Sequence, residues 1–242
     1  MEAKKHSSMP FAEGEVTRLR REFKWVATLA EANAVCRFLQ GDSTEQPALT
    51  QVTSVYFDQP DFPLTARAAC TPDDCLKIRT KEYFPNRMGQ LDHVVFEAKR
   101  ERHGLTNKQR LWVPRHKLLE VVRAGQGLPP GLLDGGPLLP VLAVAYERRV
   151  YQSSAAWRVT VDQSVTWHAI SVELAFGHVG LRRELLGPPI ASEARVIVEV
   201  KHLGRELPEA LAALRSRATP FSKFAEGMAR LGQAYTEGIF GG

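Results

Sequence analysis

The sequence predicts an α+β fold, an antiparallel β-barrel with helices packed outside. Three observations lead to it. Apolar and polar residues alternate with period 2 in eight segments, the mark of half-buried strands. Only four segments carry the 3.6-residue period of a helix. The gaps between strands are mostly of hairpin size, which favours antiparallel neighbours.

In chain order, the first strand is expected over Leu19–Ala27 and the first helix over Leu29–Leu39. Thr28 is placed to cap that helix, with Glu31 three residues later completing a capping box. Strands follow at Thr53–Asp58, Cys75–Glu82, His93–Arg100 and Lys108–Val113, then a helix at Arg115–Arg123. Gly125 to Pro140 is dense in glycine and proline and reads as a long loop inside one domain. Val141–Gln152, Trp157–Val165 and Arg195–His202 alternate again, with two shorter strands expected between Ala169 and Leu186. Helices Glu206–Arg217 and Ser222–Glu237 close the chain, the last capped by Ser222 with Glu226 in its first turn. The 242 residues carry no internal repeat. Residues 16–242 are therefore read as one domain behind a flexible N-terminal arm, 1–15.

Side chains alternate across a strand, so each strand splits into two faces. Val196, Val198 and Val200 oppose Arg195, Ile197, Glu199 and Lys201. Leu76, Ile78 and Thr80 oppose Lys77, Arg79 and Lys81. Val94, Phe96 and Ala98 oppose Val95, Glu97 and Lys99, and Gln109, Leu111 and Val113 oppose Lys108, Arg110 and Trp112. Val159 and Val161 oppose Arg158, Thr160 and Asp162; Arg21, Phe23 and Trp25 oppose Arg20, Glu22 and Lys24. One charged face is ordinary for a half-solvated sheet. Six of them, closed behind outer helices, make a wet cationic interior. Glu22, Glu97, Asp162 and Glu199 offset part of that charge. A many-oxygened anion supplies the rest through charge-assisted hydrogen bonds.

Net charge of +5 agrees with an anionic partner. Cys36, Cys70 and Cys75 have no zinc-type spacing, and His93, His103, His168, His178 and His202 no ligand spacing. Trp25, Trp112, Trp157 and Trp167 are expected to pack the barrel and its helices. No apolar run reaches the roughly 18 residues of a membrane span, and the N-terminus lacks the apolar core of a signal peptide. A cytoplasmic location follows as the expectation. Single-stranded nucleic acid calls for aromatics among the basic residues, which Trp112 alone provides, so no nucleic-acid partner is expected.

An ordered set of short motifs carries a resemblance. Glu22-Phe-Lys24, Ser54-Val-Tyr-Phe-Asp58, Lys77-Ile-Arg79, Glu97-Ala-Lys99 and Lys108-Gln-Arg110 come first. Tyr146-Glu-Arg148, Asp162, Glu199-Val-Lys201 and Phe221-Ser-Lys223 follow, spanning about Val16 to Gly232. The set resembles the polyphosphate polymerases of the vacuolar transporter chaperone (VTC) type, among the triphosphate tunnel metalloenzymes. The resemblance implies a β-tunnel that extends inorganic polyphosphate from ATP with Mn²⁺ or Mg²⁺. Carried over motif by motif, it implies that Lys24, Lys77, Arg79, Lys99, Arg148 and Lys223 are catalytic. It places Lys108, Arg110, Lys201 and Ser222 on the phosphate chain and Glu199 on the metal, with Ser222 and Lys223 at a tunnel mouth. The chain departs from the family pattern after Lys99, where Arg100-Glu101 stands in place of a Thr-His pair. Without a regulatory SPX domain or membrane anchor it resembles the stand-alone bacterial form.

Each role has a plainer competitor. Glu199 also suits an internal ion pair with Lys201 or Arg79, Lys24 one with Glu22, and Lys223 an exposed helix start. A triphosphate hydrolase of the same fold needs almost the same residues, and a non-catalytic polyphosphate-binding protein needs only the cations.

Overall fold

The computed structural model describes residues 21–41, 47–84, 93–102, 105–153, 157–202 and 207–237. The expected N-terminal arm, the first two residues of the first strand, His103 and Glu206 lie outside them. The elements are β1 (Arg21–Ala27), α1 (Leu29–Gln40), β2 (Thr50–Asp58), α2 (Pro63–Cys70), β3 (Asp74–Phe84), β4 (His93–Arg102), β5 (Leu105–Pro114) and α3 (Leu118–Ala124). Then come β6 (Leu139–Ser153), β7 (Trp157–His168), α4 (Val172–Ala175), β8 (Ala191–Glu193), β9 (Val196–His202), α5 (Glu209–Ala213) and α6 (Lys223–Thr236).

The strands form one antiparallel sheet in the order β1-β9-β7-β6-β2-β3-β4-β5, with β8 paired beside the end of β7. Among the described residues no ladder joins β1 to β5, so hydrogen bonds do not close the expected barrel. The sheet curls instead, and side chains bridge its two sides: Lys99 Nζ of β4 lies 3.9 Å from Glu22 Oε1 of β1.

The convex face is apolar, as the alternation requires. Val55, Phe57, Ile78 and Phe96 pack under Leu118, Val121 and Val122 of α3. Trp25, Val159, Val161 and Val198 pack with Ala32 of α1 and Leu211 of α5. The Thr28–Glu31 capping box forms in both directions, which sets the start of α1 against this face.

Four sequence expectations need correction. First, α6 does not pack outside. It lies on the concave face, where Phe224 stacks on Tyr56 with ring centroids 5.0 Å apart. Trp167 Nε1 donates to Lys223 O at 2.8 Å. Gly227 permits this approach, because a Cβ there would collide with Trp167 and Leu142. Second, α2 was not expected. Asp58, placed by alternation at a strand end, accepts hydrogen bonds from the backbone N–H groups of Leu64 and Thr65 at 3.0 and 2.8 Å. Pro63 sits in the first turn, where its missing N–H costs nothing.

Third, the short strands expected between Ala169 and Leu186 are α4 and a 3-10 turn at Arg183–Leu185. The Ser171 side chain caps α4 by accepting from Leu174 N, a local bond that outweighs a brief alternation. Fourth, β7 runs past Val165 to His168 through a bulge. Ser164 takes φ 53° there and the β6–β7 register shifts between Ala145 and Glu147. The extra residue moves the inward face from Thr160 and Asp162 onto Val165 and Trp167. Trp25 and Trp167 are buried as expected, whereas Trp112 is 46% exposed.

Candidate functional site

The concave face beside α6 encloses about 270 Å³. That is near the lower edge of the roughly 300–1,000 Å³ typical of small-molecule pockets, so the space suits a slender ligand. Eight strands and the segment that leads into α6 supply its walls. Lys24 comes from β1, Lys77 and Arg79 from β3, and Lys99 from β4. Lys108 and Arg110 come from β5, Arg148 from β6, Glu199 and Lys201 from β9, and Ser222 and Lys223 from the start of α6. All eleven candidate residues thus face one lumen.

Buried carboxylates organise these cations. Glu97 is fully buried and accepts from Arg79 Nε and Arg110 Nε, both at 2.9 Å, with Lys108 Nζ at 3.8 Å. Despite its burial, the surrounding cations Arg79, Lys81 and Lys108 hold its carboxyl far below the usual range. Asp162, also fully buried, accepts from Arg148 Nε at 2.6 Å and Nη2 at 2.7 Å, and from Lys223 Nζ at 2.6 Å. Its carboxyl opposes the desolvation cost with these two cations and titrates at about 2. Glu101 accepts from Lys99 at 2.6 Å and lies 3.6 Å from Lys77. Glu101 thus anchors two cations at that end.

The plainer readings are settled in part. Lys24 pairs with Glu22 at 3.3 Å and also donates to Phe221 O at 3.1 Å. Glu199 pairs with Lys201 at 2.6 Å, while Arg79 turns to Glu97. Lys223 is not an exposed helix-start lysine: it pairs with Asp162 and its Nζ lies 4.7 Å from the Tyr146 ring centroid. Ser222 lines the lumen but spends its hydroxyl accepting from Ala225 N as the cap of α6. Arg195, grouped with Glu199 by alternation, lies outside β9 and pairs with Glu193.

Sequence reading gave no role to several residues that line the lumen. Tyr56 accepts from Arg79 Nη1 at 3.0 Å, and Tyr146 lies under Arg148 at 5.1 Å. Arg158 and Thr160 line it as well, with Arg158 Nε and Thr160 Oγ1 buried and without a hydrogen-bond partner. Their alternation with Val159 and Val161 was the available signal. Lys81 also faces inward and was placed on that face without a function.

Electrostatics single out two lysines. Desolvation outweighs nearby Glu97 and pushes Lys108 down to about 7. Desolvation likewise holds Lys81 well below the ordinary lysine value, and Arg79 beside it acts in the same direction. Lys99 is pushed the other way, since Glu22, Glu101 and Glu199 together overcome its burial.

Among the described residues no three Asp, Glu, His or Cys side chains converge to enclose a metal by themselves. Two carboxylates do share one cation, with Lys201 Nζ 2.6 Å from Glu199 Oε1 and 3.1 Å from Glu22 Oε2. That donor set fits hard divalent ions, which take one or two carboxylates and complete their shell with substrate oxygens.

The VTC domain family pattern matches residues 15–127 and 133–232. The chain belongs to the VTC domain family. No curated protein matches it in sequence. Among solved structures it is similar to a candidate adenylate cyclase from Bacillus halodurans, at 12% identity and a TM-score of 0.50. That likeness covers 85% of this chain and 95% of the other. A second similar structure is a candidate adenylyl cyclase from Hippeastrum described as having a dominant triphosphatase activity. There the identity is 13%, the TM-score 0.48, and the coverage 88% of this chain and 96% of the other. This chain has the triphosphate tunnel fold, with a curled sheet of nine strands among the described residues. No helix of the described residues is long and apolar enough to cross a membrane.

Proposed function

We propose that this VTC domain is a metal-dependent polyphosphate polymerase, moving the terminal phosphate of ATP onto a growing polyphosphate chain. One observation carries the reading. Eleven lysine and arginine side chains line a single narrow lumen, and five carboxylates that touch them leave a large positive excess among the described residues.

Phosphoryl transfer asks a protein mainly for positioning and charge stabilisation. Asp162 grips one edge of the Arg148 guanidinium, and the remaining N–H groups of that fork have no protein acceptor among the described residues. Those groups, with Lys223 beside them, are oriented for phosphate oxygens. Arg79, held by Glu97 and Tyr56, is fixed in the same manner. The acceptor is a terminal phosphate oxygen of the chain, already ionised at neutral pH, so no side chain has to remove its proton. That oxygen bonds to the γ-phosphorus as the bond to the β,γ-bridging oxygen breaks. The bridging oxygen leaves on ADP with the electron pair, and the chain grows by one phosphate. Mn²⁺ or Mg²⁺, held by Glu199 with Glu22 beside it, neutralises donor phosphate charge when bound. Lys24, Lys77, Lys99, Lys108, Arg110 and Lys201 hold the rest of the anion.

One observation favours a second reading, a triphosphate hydrolase. Glu22 and Glu199 stand close enough to share Lys201, and paired carboxylates can orient a water for attack. The test is incubation with ATP and Mn²⁺, assaying long-chain polyphosphate and free phosphate together. Polymer from the native chain, reduced about 10²–10³-fold in Lys223→Ala and Glu199→Ala, is the expected result. Free phosphate without polymer would select the hydrolase.

A further inference from the structure

Seven lysines line the lumen, and six of them are paired. Lys24, Lys77, Lys99, Lys108, Lys201 and Lys223 each have a carboxylate oxygen within 3.8 Å. Lys81 is the seventh. It lines the same space and is 5% exposed. Among the described residues it has no ion pair and no hydrogen bond, so its amine has only the lumen to turn to.

The groups around it explain why. Val95 stands opposite Lys81 across the β3–β4 ladder and offers no acceptor. On β2 the register sets Ser54 opposite Lys81, but the Ser54 hydroxyl makes no hydrogen bond, and the Tyr56 hydroxyl accepts from Arg79. The charges that act on Lys81 are Arg79 of its own strand, Glu97 of β4, Lys108 of β5 and Arg148 of β6. Three are cations, and the oxygens of Glu97 are engaged by Arg79 and Arg110.

We propose that Lys81 is a further phosphate-oxygen ligand of the lumen, whose anionic partner is supplied only by the bound substrate. The proposal rests on the polyphosphate reading for the kind of anion, and adds the residue that senses its arrival. In the empty lumen burial and Arg79 hold the amine well below the ordinary lysine value. A phosphate chain brings negative oxygens into reach, favours the charged form and so draws protons from solution. Anion binding and proton uptake are thereby coupled at one side chain.

The test is calorimetric titration of the full chain with inorganic tripolyphosphate at pH 8, in two buffers of different ionisation enthalpy. Comparison of the buffers counts protons taken up on binding. Lys108 contributes to that count in every variant, so the difference between chains isolates Lys81. Lys81→Met should bind tripolyphosphate about tenfold or more weakly and take up measurably fewer protons. Its melting temperature without ligand should equal or exceed the native value, because an unpaired buried amine has been removed. Lys81→Arg, charged throughout, should retain binding while losing the same share of the proton uptake. Equal affinity and equal proton uptake in native protein and Lys81→Met would overturn the role of Lys81 and leave the polyphosphate reading standing. No tripolyphosphate binding by the native chain would overturn both.

Discussion

Along β6, Leu142 and Val144 lie in the apolar cluster under α6, while Tyr146 marks a border and Arg148 points into the cationic lumen. On β9, Ile197 belongs to the same cluster, and Glu199 and Lys201 belong to the lumen. These residues share one face of one sheet. At one end that face is dry and covered by a helix; at the other it is wet and charged. The difference shows how the sheet can hold so many cations. The apolar end, sealed by Phe224 and Trp167, fixes the strands without relying on the charged groups. Asp162 and Lys223 stand at the boundary, tying the first turn of α6 to the lumen. The dry end is held by apolar packing, whereas the wet end is, on the function proposed above, completed by its ligand.

The largest effect should come from breaking that boundary. Asp162→Ala leaves Arg148 and Lys223 as buried cations without their carboxylate, at a cost of about 3–5 kcal/mol in urea unfolding. Saturating tripolyphosphate should recover part of it, because the anion replaces the lost charge. A smaller loss is expected at the dry end. Gly227→Ala forces Trp167 or Leu142 to move and should cost about 1–3 kcal/mol, with no recovery on adding the anion. If both variants responded equally to tripolyphosphate, the two ends would not be distinct.

The wet end should also respond to pH. Lys108 titrates at about 7 when folded, against an ordinary value of 10.5. Between those values the unfolded chain binds more protons, so this group makes stability rise with pH over that window. A bound anion favours the charged form, so affinity for tripolyphosphate should fall by up to about tenfold per pH unit above 7. Lys108→Met should flatten that dependence. The smallest effect lies away from both ends: Thr28→Ala removes the cap of α1 and should cost about 1 kcal/mol without changing anion binding.

Much of the lumen was legible because alternation is a local rule. Lys77 and Arg79, or Lys108 and Arg110, must share a face wherever their strands lie. The convex apolar face was legible for the same reason. The dry end was not. Nothing near Ile197 tells that a helix beginning at Lys223 will cover it, and Phe224 reads as an ordinary amphipathic position. The bulge at Ser164 was equally hidden, since one extra residue reverses the alternation that betrays a strand. Lys81 was placed on the right face, yet its isolation depends on which carboxylates reach their neighbours. That is set by the curl of the sheet, which brings β1 against β4, and not by any one strand.

The central claim is that the wet end is a site for a chain of phosphates, completed by the ligand. Titration of the native protein with inorganic tripolyphosphate and orthophosphate, across a series of salt concentrations, tests it most directly. One tripolyphosphate should bind per chain, far more tightly than orthophosphate, with an affinity that declines as salt rises. Equal and weak binding of the two anions would contradict it.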